Sequence, residues 1–296
     1  MAEYRPNKQQ VTQSFAAAAA SYDKVAVLQR QTADELLDRL SFVKLQPSLI
    51  LDLGTGTGRN LALLHQRYPN ARLLAMDIAM GMLQQAKKRF RHDLGLRRWL
   101  PGATALGLFT GDAEQIPLAD NSVDLVFANL SLQWCEPRQV FKEIQRVLAP
   151  GGLLVYTSLG PETLTELRQA WATVDDYPHV NVFYDVLDIG NAMTAAGLQD
   201  CVLDVEPYTL QYPDAMMIMR DLKTLGAHNV NDGRRRGLTG KRALKQVIAA
   251  YEGFRQHKQL PVSYEVIFGH AWKLPSAMSV ADDGSVRIPL GEIKRR

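Results

Sequence analysis

The sequence predicts an α/β fold built on a mostly parallel sheet, because short apolar segments alternate with helical patterns along much of the chain. The clearest unit joins an apolar segment at residues 48–53 to a glycine-rich turn and a helical pattern from Asn60. Gly54, Gly56 and Gly58 stand at alternate positions in that turn, where side chains would keep the backbone away from a ligand. This strand–turn–helix unit predicts a ligand site.

Six further strands follow from apolar segments along the chain. They are predicted at residues 71–76, 106–110, 123–129, 153–158, 198–210 and 262–271. The segment at 123–129 is apolar almost throughout, as expected of a parallel strand buried on both faces. The last alternates with a period close to two residues, which favours an antiparallel strand.

Helices are predicted between and around these strands, at residues 25–40, 140–148, 162–174, 188–196 and across 213–257. Pro161 suits the first turn of the helix at 162–174, and Gly197 suits a helix end. In an open α/β sheet, ligands bind at the carboxyl ends of the strands. The segments after the fifth and sixth strands begin at that edge, so both can roof a site there.

Composition excludes several classes of protein. The chain has 296 residues and 46% hydrophobic content, enough for one large domain with insertions. It has no apolar run of ~18 residues and a polar beginning, so neither a membrane span nor a secretory signal is predicted. Its two cysteines, Cys135 and Cys201, lie far apart, which suggests a cytoplasmic protein without a metal site. A net charge of +3 is too small to imply nucleic acid.

The spacing of the glycines indicates which class of ligand the turn binds. It is G-x-G-x-G, with Asp52 two residues earlier, whereas dinucleotide folds use G-x-G-x-x-G. The stretch resembles motif I of the class I S-adenosylmethionine (SAM) methyltransferases. That resemblance implies a seven-stranded, mostly parallel Rossmann-like methyltransferase sheet with a helical roof, and SAM as the co-substrate.

Two later segments fit the same co-substrate. Asp77 follows the second strand ~20 residues after the glycines, where a carboxylate can accept both ribose hydroxyls. The sequence G-D-A-E-Q-I-P at 111–117 resembles a methyltransferase motif. The resemblance implies that the Asp112 carboxylate lies at the adenine amino group and that the Ala113 N–H faces the adenine ring. Candidate SAM-binding residues are Asp52, Gly54, Gly56, Gly58, Asp77, Ile78, Asp112, Ala113, Asn129 and Leu130.

Sequence segments outside this core indicate a more specific family. The chain resembles the malonyl-acyl-carrier-protein O-methyltransferases of biotin synthesis through "SYDKVAVLQR" at 21–30, "GPETLTELRQAW" at 160–171, "DLKTLGAHNV" at 221–230 and "YEVIFGHAW" at 264–272. That family usually has a histidine in the word D-M-H-D-I-G, where this chain has Leu187. No acid–base role is therefore carried to that position.

The resemblance implies methylation of the free malonyl carboxylate to an ester. That carboxylate, with a pKa near ~4, is already ionised at pH 7, so no general base is expected. Arg168 and Lys223 are candidates to hold it, with His228 and Asn229 beside them, and the alternative for each charge is a solvated position on a helix surface. Tyr22 is expected either to close over the methionine end of SAM or to pack the N-terminal helix.

Three parts are expected: a helical cap at 1–45, a SAM-binding core at 46–158, and the remaining strands with a substrate-binding roof at 159–296. Residues 234–258 carry eight basic side chains against one acid, Glu252. Because acyl carrier proteins are acidic, this stretch is predicted to dock one; a solvated helix and, less strongly, nucleic acid are the alternatives. The docking residues proposed are Arg234, Arg235, Arg236, Lys241 and Arg242.

Two other functions stay open. One is SAM-dependent methylation of another small metabolite, such as a quinone ring carbon, which would need a base near the ring hydroxyl. The other is a non-catalytic assembly factor on the same fold. A protein that does not bind SAM has no need of an intact set of glycines and acids, which argues against the second alternative.

Overall fold

The computed structural model describes residues 6–95, 106–227, 229–231, 240–274, 279–280 and 286–287. A seven-stranded sheet of order β3-β2-β1-β4-β5-β7-β6 forms its centre. The strands are β1 (Leu49–Leu53), β2 (Arg72–Asp77), β3 (Leu106–Thr110), β4 (Val123–Asn129), β5 (Leu148–Leu159), β6 (Gln199–Tyr212) and β7 (Leu260–Trp272). A separate hairpin pairs β8 (Ser279–Val280) with β9 (Val286–Arg287).

The helices of the described residues are α1 (Lys8–Ala18), α2 (Tyr22–Val25), α3 (Val27–Arg39), α4 (Arg59–Arg67), α5 (Met80–Asp93), α6 (Pro137–Val147), α7 (Thr165–Ala172), α8 (Val186–Ala195), α9 (Ala215–Thr224) and α10 (Lys241–Glu252). Side chains alternate across each strand, so Ile50 and Leu51 enter different cores. One core packs α3, α4, α5, α7, α9 and α10 on the sheet; the other packs α6 and α8.

The sheet topology confirms the predicted fold class. β1 to β5 are mutually parallel, and β7 pairs antiparallel with both β5 and β6, as the alternation in its sequence predicts. β6 therefore runs parallel to β5 and ends at the same edge. The segments containing α7 and α9 begin at this edge, where a roof over a site was predicted.

Several predicted boundaries are wrong for local reasons. Pro161 does not open α7, because Leu164 adopts a left-handed conformation with φ of 57° and the helix begins after it. β5 begins at Leu148, five residues before its predicted start, because Leu148 pairs with Val123 ahead of a register shift. The helix predicted at 25–40 is interrupted at Ala26.

The region predicted to be helical at 213–257 contains two helices, α9 and α10, with residues 229–231 in irregular structure between them. Within the described part of the chain, no helix combines the length and the apolar character that crossing a membrane requires.

Candidate active site

The glycine loop follows β1 directly and depends on unusual backbone angles. Gly54, Gly56 and Gly58 have φ of +74°, +54° and +77°. A Cβ on Gly54 would lie 2.3 Å from Ser131 Cβ, whereas one on Gly56 would meet nothing within 4 Å. The Gly56 N–H donates to Asp77 Oδ2 at 2.9 Å, so the loop is fastened to the end of β2.

Gly58 has a packing role at the start of α4. A Cβ there would lie 2.7 Å from Ala86 Cα, so the glycine lets α4 approach α5. The structure does not bring Gly58 to the wall of the cavity described below. Its contact with a co-substrate stays a prediction, and in the structure it supports the packing of the loop.

Two buried carboxylates lie behind and beside this loop. Asp52 is 1% exposed and accepts a hydrogen bond from Thr55 Oγ1 at 2.6 Å; burial raises its pKa to about 7, against the effect of that bond. Burial raises the pKa of Asp77 to about 6, although the N–H groups of Ala79 and Gly56 oppose the shift. Asp52 does not line the cavity, whereas Asp77 does.

A cavity of about 650 Å³, here called the cofactor cavity, lies over the loop. Eight predicted residues line it: Gly54, Gly56, Asp77, Ile78, Asp112, Ala113, Asn129 and Leu130. Lys8, Val11 and Phe15 of α1 also line it, so the N-terminal helix covers the cavity. The sequence motifs carry no signal for this α1 contribution.

Lys8 reaches from α1 to the floor of the cofactor cavity. Its Nζ lies 2.9 Å from Asp112 Oδ1, 2.8 Å from Glu114 Oε1 and 3.4 Å from Cys135 Sγ. Burial lowers the pKa of Lys8, but these three groups outweigh burial and raise it overall. Asp112, Glu114 and Cys135 are also the described side chains whose spacing could hold a metal ion. The Lys8 ammonium group contacts all three side chains, so a cation of the protein itself already lies among them.

Asn129 ties the sheet edge to the N-terminal helices. Its Oδ1 accepts from Thr32 Oγ1 at 2.9 Å and Thr157 Oγ1 at 2.8 Å, and its Nδ2 donates to the Gln29 carbonyl at 3.0 Å. The Leu130 N–H donates to Thr157 Oγ1 at 2.9 Å, and Leu130 has a φ of 46°. This network joins β4, β5 and α3 at the cavity wall.

A second cavity of about 890 Å³, here called the apolar cavity, adjoins the first. The two share Phe15, Tyr22, Leu130 and Trp134, which we call the junction. Leucine, valine and aromatic side chains provide most of its wall, and α3, α7, α9, β6 and β7 each contribute some of them. The irregular segment 179–183 and the residues Ala227 and Asn229 also contribute to the wall.

The candidate substrate residues separate into two groups. Tyr22 lies at the junction, and burial together with Asp77 and Asp23 raises the pKa of its hydroxyl. Asn229 lines the apolar cavity and donates to the Pro178 carbonyl. His228 lies outside the described residues.

The structure does not bring Arg168 or Lys223 to the apolar cavity. The Arg168 guanidinium donates to the carbonyls of Pro161 and Thr163 at 2.9 and 3.0 Å. Lys223 is exposed, because Leu222 and Leu225 present the inner face of the α9 end. That either cation holds the substrate carboxylate stays a prediction, and neither side chain lines this cavity.

The sequence reasoning missed several polar residues on the wall of the apolar cavity, among them His179, Gln29 and Gln133. His179 lies with Nε2 2.7 Å from Asp175 Oδ1, and its ring stacks on Trp171 at 3.7 Å. Gln29 and Gln133 each bury an Oε1 without a partner. Tertiary packing brings these side chains to the cavity wall, so no local spacing in the sequence indicates them.

The predicted docking stretch is described only in part. Arg234, Arg235 and Arg236 lie outside the described residues. Lys241 and Arg242 are exposed on the first turn of α10, with Lys245 one turn later. Arg255 pairs with Glu252 at 2.6 Å, so it adds little net charge to the face.

The fold and the site geometry agree with comparisons to known proteins. Residues 51–156 match the family model of a methyltransferase domain. A malonyl-[acyl-carrier protein] O-methyltransferase of Methylovorus sp. is 48% identical over 284 residues, which cover 95% of this chain and 94% of the relative. One from Nitrosospira multiformis is 44% identical and covers 90% of this chain and 89% of its own. The chain belongs to the malonyl-[acyl-carrier protein] O-methyltransferase family.

Membership in this family confirms the resemblance that was based on the sequence segments outside the SAM-binding core. Solved structures agree on the fold. The [4+2]-cyclase SpnF has a TM-score of 0.57 at 19% identity, covering 92% of this chain and 98% of that chain. A putative methyltransferase from Bacillus halodurans has a TM-score of 0.54 at 16% identity, covering 82% and 99%. Likeness at such identities concerns the fold alone.

Proposed function

We propose that this chain transfers the methyl group of SAM to the free carboxylate of a malonyl thioester on acyl carrier protein, giving the methyl ester. The observation that carries this proposal is the junction, whose four residues line both the cofactor cavity and the apolar cavity. A carboxylate in one cavity can there meet a methyl group presented from the other. The names of the relatives supply the substrate class.

The residues of the cofactor cavity fit SAM. Ionised Asp77 can accept both ribose hydroxyls, and open space beside Gly56 permits close approach of the ligand to the backbone. Asp112 Oδ1 is engaged by Lys8 and by the Glu114 N–H, so we assign Oδ2 to the adenine amino group. Asp52 and Gly58 support the loop from behind. We assign the ammonium of Lys8, rather than a metal, to balance the acidic group.

The chemistry needs alignment more than proton transfer. A malonyl carboxylate oxygen attacks the methyl carbon in line; the carbon–sulfur bond breaks and its electron pair stays on sulfur. No proton moves, so no general base is required. The protein's contribution is to hold the reacting atoms in contact and to exclude water, which suits the apolar walls.

Neutral groups at the junction are the proposed holders of the carboxylate. No lysine or arginine lies among the described residues that line the apolar cavity. Tyr22 stands at the junction, and Gln29 carries a buried amide oxygen without a partner. Because amide orientation follows the surroundings, Gln29 can present its N–H₂ to an anion instead. Neutral donors leave the attacking oxygen less neutralised than an arginine pair would.

We place the reaction at the start of biotin precursor synthesis, as the family resemblance implies. Esterification removes the negative charge, so that fatty-acid elongation enzymes can extend the chain toward a pimeloyl group. The exposed basic face of α10, with Lys241 and Arg242, is the proposed docking surface for the acidic carrier. We keep the division into a cap at 1–45, a core at 46–158 and a roof at 159–296.

The test is incubation of the purified protein with SAM and malonyl-carrier, followed by mass spectrometry of the intact carrier. Addition of one methyl group is expected, and acetyl-carrier, which lacks a free carboxylate, should stay unmodified. SAM binding without methylation of a malonyl thioester on carrier or coenzyme A would point to another small metabolite. Absence of SAM binding by calorimetry would favour an assembly factor.

A further inference from the structure

A groove runs along the outer side of α7, next to the apolar cavity. It has a volume of about 1010 Å³ and is lined by the end of α7 and the segment 175–183. Four residues line both the groove and the apolar cavity: His179, Val180, Asn181 and Phe183. The groove is thus separated from the cavity only by the thickness of this short segment.

That boundary is irregular and is held by side-chain bonds. The segment 179–183 has neither helical nor strand structure. Asn231 Nδ2 donates to the Val180 carbonyl at 2.7 Å, and the Val230 N–H donates to Asn181 Oδ1 at 2.9 Å. Asn229 makes the third bond, to the Pro178 carbonyl. Boundaries held by a few such bonds rearrange at lower cost than helices or strands.

The groove combines apolar surface with one fixed cation. Tyr177 is 51% exposed and Val182 is 53% exposed, which is high for large apolar side chains on a groove wall. Trp171 lies flat against His179. Arg168 also lines the groove, and its two carbonyl bonds hold its guanidinium in place. This pattern suits an extended ligand with alkyl and amide groups that ends in a phosphodiester.

We propose that the pantetheine arm of the carrier lies in this groove, with its phosphodiester beside Arg168, and passes His179 into the apolar cavity. This inference rests on the proposed function. The malonyl end then arrives at the junction with the cofactor cavity. α10 packs against α7, so a carrier docked on the basic face of α10 stands beside the groove. Arg168 thereby serves the arm rather than the reacting carboxylate.

A steric test uses two exposed positions of α7. Ala172 lines the groove and Gln169 does not. Ala172→Trp should fill the groove, while Gln169→Trp adds the same bulk outside it. Three substrates are compared: malonyl-carrier, malonyl-coenzyme A, which carries the same arm, and malonyl-N-acetylcysteamine, which retains only the last part of the arm.

We expect Ala172→Trp to lower kcat/KM for the two arm-bearing substrates by about tenfold more than for the short thioester. Gln169→Trp should change none of the three, and calorimetry should show unchanged SAM affinity in both variants. An equal loss on all three substrates, or no loss with Ala172→Trp, overturns the inference. Methylation of malonyl-carrier by the unmodified protein is measured first, so failure of the proposed function is recognised separately.

A second pair of variants tests the phosphodiester position. Asp176 is an exposed acid on the same groove, so it opposes the charge of Arg168. Arg168→Gln should raise KM for malonyl-coenzyme A several-fold, and Asp176→Asn should lower it, with the short thioester affected by neither. Arg168→Lys, which keeps the charge, should recover most of the loss. Loss in Arg168→Lys equal to that in Arg168→Gln contradicts the assignment of the phosphodiester to this cation.

Discussion

The cofactor cavity and the apolar cavity meet at one edge of the sheet, but different kinds of structure build them. The ends of β1, β2, β3 and β4 supply most of the first, so adjacent parallel strands bring Gly54, Asp77 and Asp112 together. The second takes much of its wall from α3, α7, α9, the irregular segment 179–183 and the residues Ala227 and Asn229, which lie far apart in the chain. The first site is held by the sheet, and the second by insertions on it.

Their polar groups differ in the same way. In the cofactor cavity, Asp77 accepts two backbone N–H groups and Asp112 is paired with Lys8. In the apolar cavity, the Oε1 atoms of Gln29 and Gln133 are buried without partners. A buried polar atom without a partner is costly, so these are the positions where a ligand gains most by supplying one. We propose that the first cavity is organised before binding and that the second is completed by substrate.

The largest expected effect is on the glycine loop. Gly54→Ala places a Cβ 2.3 Å from Ser131 Cβ at a φ of +74°, and should cost about 3 kcal/mol of stability together with most SAM affinity. Gly151→Ala is the matched control, since Gly151 has a φ of +78° but nothing within 4 Å of a Cβ. It should cost only about 1 kcal/mol. Equal losses in thermal denaturation would show that the close approach to Ser131 does not matter.

Next in size is the loss of the ribose acceptor. Asp77→Ala should weaken SAM binding by about 2–3 kcal/mol, because charge-assisted hydrogen bonds are lost, while circular dichroism shows the fold retained. Asp77→Asn keeps the shape of the side chain and should lose less. Calorimetry that finds unchanged SAM affinity in Asp77→Ala would remove the central residue of the cofactor assignment.

The apolar cavity offers the contrasting case. Asn231 is 4% exposed and bonds the Val180 carbonyl, so Asn231→Ala should cost about 1–2 kcal/mol of stability. It should raise KM for a malonyl thioester and leave SAM affinity unchanged, because its segment does not line the cofactor cavity. A parallel loss of SAM affinity would mean that the two cavities are not organised independently.

The buried carboxylates predict that protein stability and SAM affinity change with pH in opposite directions. Burial raises the pKa of Asp77 to about 6 and that of Asp52 to about 7, above their unfolded values near ~4. Their contribution to stability is therefore present below pH ~4 and lost as pH rises through 6–7. SAM needs ionised Asp77, so its affinity should fall below pH 6 by up to about tenfold per pH unit.

Calorimetric titration and thermal denaturation between pH 5 and pH 8 would measure both trends. Asp77→Asn should flatten the pH dependence of SAM affinity. At saturating SAM, kcat should follow the substrate carboxylate alone; a steep fall in kcat below pH 7 would instead reveal an essential base and contradict the proposed chemistry.

The smallest expected effect is at the docking face. Reversing Lys241 and Arg242 to glutamate should raise KM for malonyl-carrier several-fold and reduce its dependence on salt. These side chains are exposed, so stability and SAM affinity should be unchanged. Equal effects on malonyl-N-acetylcysteamine would assign the helix a structural role instead.

The contrast between the cavities also explains what the sequence could predict. Gly54, Asp77 and Asp112 stand at the ends of successive strands, so their spacing along the chain implies their proximity in space. Lys8 contacts Asp112 across 104 positions, and nothing in its local sequence indicates that contact. Most of the cofactor cavity was therefore predictable, but not the helix that covers it.

Fewer of the predicted residues line the apolar cavity. Arg168 and Lys223 have the charge expected for holding a carboxylate, but charge does not specify which face of a helix turns inward. Pro161 favours a helix start, yet the left-handed Leu164 delays α7. His179 and Gln29 reach the cavity through tertiary packing of insertions, for which the chain has no periodic signal.

The central claim is that a methyl group passes at the junction from SAM to a carboxylate oxygen. Its most direct test uses SAM with a labelled methyl group and malonyl-carrier, followed by treatment of the product with mild alkali. The account predicts that the label enters the malonyl group and is released as volatile methanol, as an ester requires. Label that stays non-volatile after alkali would place the methyl on carbon or nitrogen and contradict the account.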